Sequence, residues 1–372
     1  MQAKTIFILI LAFHLTSCSA PETAEHDETE TQVIPNPEYS QWQEQEHPPV
    51  TYELIHEYVF REDDDLLIGS PSYLVTDENE NLYFYDFDQP RLISLTSEGE
   101  LRWISGQEGS GPGDFESIRS ITLHNNKLYI SNVSGSRLDT YDLDGNYLES
   151  QAFPEDLSSA SVIGITDENH LILSRTYWSN IGSMIAIADY SNSFEKQKAF
   201  PIQQLEGVEL KMRGSIRTGI SYFQENIVSG NFGEYLITFY NLEGNSVKKI
   251  TRDFDRIVRP GITQQSVRSF GGVQAPYFFP DGHFAVRAAW PTNISDPDQY
   301  VRSEKKEKVI YRNTLDYFNP NGKLIYSFET DGNSSDMGYL THIDQKGHAY
   351  FLNHYPVTSI RKYKVNFPNE NN

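Results

Sequence analysis

Residues 106 to 150, GQEGSGPGDFESIRSITLHNNKLYISNVSGSRLDTYDLDGNYLES, restrict what this chain can fold into more than any other stretch. A glycine-rich loop, Gly106 to Gly113, leads into an apolar run at Ile118 to Leu123. A turn at His124 to Lys127 then precedes Leu128-Tyr129-Ile130. Leu138 to Tyr141, a tight turn at Asp142 to Gly145, and Tyr147-Leu148 complete the unit. Four short strand signals within about 45 residues match the length of one propeller blade. A single such unit cannot bury its apolar faces, so it needs copies of itself as neighbours.

The unit recurs. Its first half, two apolar runs around an Asn, Asp or Gly turn, appears at 73–85, 121–130, 165–173, 222–228, 277–286 and 342–352. Its second half appears at 92–103, 138–148, 185–194, 236–247, 315–326 and, cut short, 360–365. Six alternations predict an all-β fold, a six-bladed β-propeller of four-stranded antiparallel blades spanning residues 51–367 as one domain. The sixth unit lacks an outer strand. Residues 52–60 alternate well enough to supply it, so the N-terminal strand is expected to complete the last blade and leave no open joint. The 23 Tyr and 21 Phe suit half-buried pleated surfaces, and no long segment shows an apolar period of 3.6.

Ahead of the repeats, Lys4 precedes an apolar run from Ile6 to Leu15, too short to span a bilayer but long enough for a signal-peptide core. Residues 1–17 are read as a signal peptide. Residues 18–50, acidic, Pro-containing and poor in aliphatics, are read as a flexible tether. Cys18 is the only cysteine, so the folded part holds no disulfide and no thiolate metal site. A net charge of −22 disfavours nucleic acid as a partner.

Two resemblances follow from these residues. Gly106, Gly109, Gly111, Pro112, Gly113, Asp114 and Phe115 match the Gly-x-x-Gly-x-Gly-Pro-Gly-[DE]-[FY] loop of NHL-like six-bladed propellers, and the chain resembles the propeller lipoproteins of Gram-negative bacteria. Leu15-Thr16-Ser17-Cys18 resembles a lipobox, which implies lipidation of Cys18 and an address in the cell envelope, at the outer membrane on its periplasmic or surface side. Glu22, Glu25, Asp27 and Glu28 resemble an outer-leaflet export signal, or are simply part of a solvated tether. The Asp that often ends the second strand of NHL repeats is present as Asp86 but replaced by Asn132, Arg175 and Ala288 elsewhere. No shared ligand site therefore transfers.

In a four-stranded meander, the first and third turns of every blade fall on one face, and the second turn and the blade-to-blade connection fall on the other. The first set is short here. The second is long: 106–116, 175–182, 201–219, 252–272, 287–313 and 329–338. Long loops on a rigid scaffold are where binding usually sits, so the long-connection face is the candidate binding face. Tyr177, Trp178, Phe232, Trp290, His354 and Tyr355 follow second strands and are expected near its rim, where they either stack on a sugar or peptide or cap blade packing. Arg213, Arg217, Arg252, Arg256, Arg259, Arg268 and Arg287 lie in or beside those loops, either receiving carboxylates or sulfates or pairing with acids such as Asp253 and Asp255. The charged insertion at 292–313 is expected as a mobile surface loop.

The glycines of 106–113 precede a strand, not a helix, which favours a geometric role over phosphate binding. His124, His170, His283 and His348 fall at short turns, and no histidine spacing suggests a metal. The expectation is a lipid-anchored monomer that binds a glycan, peptide or protein, with no catalysis, cofactor or metal. The alternative is a metal-dependent propeller hydrolase or lyase, which three or more His, Asp or Glu side chains converging at the axis would favour.

Overall fold

The computed structural model describes residues 31–61, 67–133, 136–177, 182–202, 219–262, 267–303, 306–330 and 337–368. Two strands precede the first complete sheet, β1 (Gln32–Asn36) and β2 (Thr51–Val59). Blade I is β3 (Pro71–Thr76), β4 (Leu82–Asp86), β5 (Arg91–Leu95) and β6 (Leu101–Ser105). Blade II is β7 (Ile118–His124), β8 (Lys127–Asn132), β9 (Arg137–Asp142) and β10 (Tyr147–Ala152). Blade III is β11 (Ser161–Ile165), β12 (His170–Tyr177), β13 (Gly182–Asp189) and β14 (Glu195–Ile202). Blade IV is β15 (Ile220–Phe223), β16 (Asn226–Gly230), β17 (Leu236–Tyr240) and β18 (Ser246–Arg252).

A two-residue ladder, β19 (Gly261–Ile262) with β20 (Val267–Arg268), interrupts the passage to blade V. The inner strand of blade V is broken into β21 (Gly272–Val273) and β22 (Tyr277–Phe278), both paired to β23 (Phe284–Pro291). Helix α1 (Pro297–Arg302) precedes β24 (Tyr311–Phe318) and β25 (Leu324–Thr330). Blade VI is β26 (Tyr339–Ile343), β27 (His348–Asn353) and β28 (Ser359–Asn366), with β2 as its outer strand. β2 pairs with β28 antiparallel from Thr51↔Asn366 to Val59↔Ser359, so the two ends of the chain share one blade.

The inner strands neighbour one another in succession, and β26 of blade VI meets β3 of blade I. The middle strands carry the core. β4, LYFYD, is buried throughout because blades cover both of its faces, whereas outer β10 is almost entirely exposed. Four of the short turns are built by one side-chain device. Asp77, Asp142, Asn319 and Asp344 each accept backbone N–H groups from two and four residues ahead, the Asx geometry that makes these residues turn formers. At the third turn of a blade a glycine follows at positive φ and lies against the outer strand of the preceding blade. Gly145, at φ +82°, would set a Cβ 2.6 Å from Trp103. The same contact recurs between Gly244 and Phe200, and between Gly322 and Ile250.

The stretch from 31 to 50, expected as part of a flexible tether, is instead folded. β1 adds a parallel fifth strand outside β18, with Gln32↔Lys248 through Asn36↔Arg252. Asn36 then donates to Gly322 O (3.0 Å) and accepts from Leu324 N (2.8 Å) in blade V. The Gln43 side chain exchanges hydrogen bonds with the Ser327 backbone of β25. Val50 is buried among Phe279, Tyr317 and Ile325, and β2 follows. Residues 31–59 thus form a belt along the outer edges of blades IV, V and VI. Composition hid the belt because a main-chain ladder, polar side chains reaching backbone groups and a few apolar anchors such as Ile34 and Val50 hold it, rather than a run of aliphatics.

Candidate functional site

The long-connection face carries a cleft of about 880 Å³ between blades VI and I. One wall is the β2-to-β3 connection, Phe60, Arg61 and Leu67 to Gly69. The second is the Asp88-Gln89 turn of blade I, and the third is the blade VI loop from His354 to Thr358. Buried groups position the first two walls. Asp86, fully buried at the end of β4, accepts from Ser70 N (3.0 Å) and Asp88 N (3.2 Å), while Arg91 reaches Leu67 O (2.5 Å). The space between them is tight, since a Cβ on Gly69 would fall 2.1 Å from the Asp88 carboxylate. Buried Phe60 and Ile68 make its apolar base, exposed Pro356 adds to its edge, and three ionisable side chains, Arg61, Asp88 and His354, line it. Leu67 (43% exposed) and Val357 (39%) edge the cleft, and Tyr355 (81%) projects from the same loop.

Of the aromatic residues expected at the rim, His354 and Tyr355 are there. Phe232 and Trp290 are not, being 7% and 4% exposed. β23 runs on to Pro291, so Trp290 remains inside the strand alternation and packs edge-on against Phe254. These two cap blade packing instead of a ligand. Tyr177 ends β12 with its side chain outside what the structure describes, and Trp178, Arg213, Arg217 and Cys18 lie outside the described residues.

Of the five loop arginines among the described residues, Arg252, Arg256 and Arg259 pair with acids, though not with Asp253 or Asp255. Arg252 is buried against Asp316 (2.9 Å), which also accepts from Tyr235, Ser327 and Thr314. Arg256 pairs with Glu38 and Glu329. Arg259 meets Asp298 through two parallel bonds (3.0 and 2.9 Å), and the arginine with the Ile262 N–H holds that carboxyl down at about 2. Asp298 belongs to α1, whose N-cap Asp296 accepts from Gln299 N. The 292–313 insertion, expected as a mobile loop, is therefore docked through Asp298 onto β19 in its helical part. Arg137 binds Asp139 and the carbonyls of Ser110, Gly111 and Asp114. It clasps the glycine-rich loop over buried Phe115, which fits the geometric role expected of those glycines.

Arg287 differs. It stands in β23 opposite the interruption between β21 and β22, donates to Asn313 Oδ1 (3.0 Å), and its guanidinium lies 4.5 Å over the Tyr339 ring.

Among the described residues, one group of three potential metal ligands converges, Glu80, Asp344 and His348. It lies at the short turns of blades I and VI, not at the axis. Lys346 (2.8 Å) and Lys362 (2.5 Å) already bind Glu80 there. Burial pushes the Glu80 carboxyl up, but the bonds from the two lysines prevail and bring it to about 2. The cluster is an ionic clasp across the closing seam.

Six four-stranded blades, closed by both chain ends and elaborated on one face, define a β-propeller of the binding-module type with NHL-repeat relatives. The family described as "6-bladed beta-propeller" (DUF5128) matches residues 26–242, and the chain belongs to it. It is 27% identical over 128 residues to NHL repeat-containing protein 3 of Mus musculus and 26% identical over 128 residues to the Homo sapiens protein. Each match covers 32% of this chain and 37% of the relative's length. Among solved structures, it is similar to a putative exported protein from Bacteroides fragilis (TM-score 0.57, 10% identity, 90% of this chain and 100% of that one). It is also similar to a DUF4221 family member from Bacteroides vulgatus (TM-score 0.55, 10% identity, 86% and 99%). At such identities the likeness is one of fold.

Proposed function

We propose that this protein is a lipid-anchored binding module of the bacterial cell envelope, held to the outer membrane through Cys18, which receives a glycan or peptide at the cleft between blades VI and I. The cleft carries this reading. Its volume, about 880 Å³, lies within the range of small-ligand sites, and an apolar floor with a few placed polar groups is their usual composition. The buried Asp86 and the partly buried Arg91 fix its walls before any ligand arrives, which lowers the ordering cost of binding. The lipobox-like Leu15 to Cys18 supports the anchor.

The test is a glycan and peptide array probed with the wild-type protein, Leu67→Asp and Val357→Asp, each checked for an unchanged melting temperature. Both substitutions are at partly exposed positions, so the fold is expected to tolerate them while bound ligand is weakened at least tenfold. Undiminished binding by both variants would overturn the cleft assignment. For the anchor, Cys18→Ala is expected to release the protein from the membrane fraction, and a variant that still sediments with membranes would remove lipidation from the reading.

A further inference from the structure

Among the described residues, Arg287 is a cation without an anion. Its described neighbours are an amide oxygen, Asn313 Oδ1 at 3.0 Å, and Tyr339, whose ring face lies 4.5 Å away and whose hydroxyl it also bonds, with the Tyr277 phenol close by. Among the described residues no carboxylate lies within ion-pair distance of it, in a chain with 52 acidic and 30 basic side chains. Arg137, Arg252, Arg256 and Arg259 on the same face all hold one. The group is half-buried, and burial lowers its pKa, an effect the Tyr339 and Tyr277 phenols offset only in part. Taking a charge out of water without a counter-charge is unfavourable, so such a residue is normally retained for something that arrives later.

The setting suits an arriving group. Arg287 stands opposite the interruption between β21 and β22, where Gln274 N–H still donates to its carbonyl (2.8 Å) and the ladder resumes only at Tyr277. Tyr339 is the first residue of the inner strand of blade VI, at its long-connection end, and is 39% exposed. Asn313 stands at the matching end of β24. Asn313 takes one N–H from the guanidinium and the Tyr339 ring supports its face, so the fork is held in one orientation with donors to spare. A planar fork of this kind matches a carboxylate through two parallel bonds.

We propose that Arg287, oriented by Asn313 and Tyr339, is the receptor for the carboxylate of an acidic ligand at the seam between blades V and VI. This goes beyond the cleft reading by adding a separate site and naming its ligand's charged group, and it does not depend on the cleft between blades VI and I. A uronic acid residue of a polysaccharide and the C-terminus of a peptide both present that group.

The experiment follows the Arg287 Nε–H resonance, assigned by its loss in Arg287→Gln, during titrations of the full chain. The probes are galacturonate and N-acetyl-alanyl-alanine, each beside its uncharged counterpart, galactose and the C-terminal amide. At least one acid is expected to shift the resonance saturably, more weakly at high salt, with its neutral counterpart silent, and the responding acid identifies the source. Arg287→Lys, which keeps the charge and loses the fork, is expected to bind at least tenfold more weakly, with a melting temperature close to wild type. Val357→Asp is expected to leave the titration unchanged, so failure of the cleft and failure of this site read out separately. No shift with either acid, equal shifts with the neutral probes, or full binding by Arg287→Gln would overturn the proposal.

Discussion

His342, on the inner strand of blade VI, bonds through Nε2 to Thr76 Oγ1 of blade I at 2.9 Å, and burial pushes its pKa down to about 4. An unfolded histidine titrates near 6.5. The unfolded chain therefore takes up this proton first as the pH falls. The stability His342 lends is fully present above about 6.5 and is lost progressively towards 4. The denaturation midpoint of the wild type is expected to fall more steeply over that window than that of His342→Asn, and parallel curves would contradict it. Glu80 acts lower on the scale. With its carboxyl held near 2, its contribution persists down to about pH 4.5 and declines only below that, so the two residues separate on a pH axis.

At the scale of the element, the third-turn glycines make each blade depend on its predecessor. Gly145→Ala would force a side chain into positive φ and against Trp103 at once, and should cost roughly 2 kcal/mol in denaturant titration. The loss is expected to shrink when Trp103 is also replaced by a smaller side chain. Such turns were legible in the sequence, because Asp-x-Asp-Gly and Asn-x-Asn-Gly state their own geometry. So was the closing strand, since the sixth repeat is one strand short. Trp290 was misread because the second strand of blade V runs on to Pro291, longer than those of blades I, II and IV, so a position expected beyond the strand lies within it. His354 and Tyr355 were readable as a loop after a strand. Leu67, Ile68 and Asp88 were not, because they become neighbours of His354 only when the first and last blades meet.

Over the whole molecule, ring closure is reinforced twice. β2 completes blade VI, and the belt ahead of it fastens blades IV and V to the same N-terminal segment. Asn36 is where that fastening crosses between blades, bonding Thr251 O, Gly322 O and Leu324 N. Asn36→Ala strands two buried backbone groups of blade V and is expected to lower stability by about 1–3 kcal/mol. A change much below that range would mean the belt is only laid against the ring. The belt was illegible because nothing in a Pro- and Glu-rich stretch announces side chains that borrow the hydrogen bonds of an edge strand.

The direction of β1 has a practical corollary. Thr31 bonds to Ser246 at the start of β18, beside the third turn of blade IV, so the polypeptide joins the ring at its perimeter on the short-turn side. A bead, sensor chip or fusion partner coupled ahead of Thr31 grips the molecule there, and immobilisation by the N-terminus presents Arg287 and the VI/I cleft to free solution.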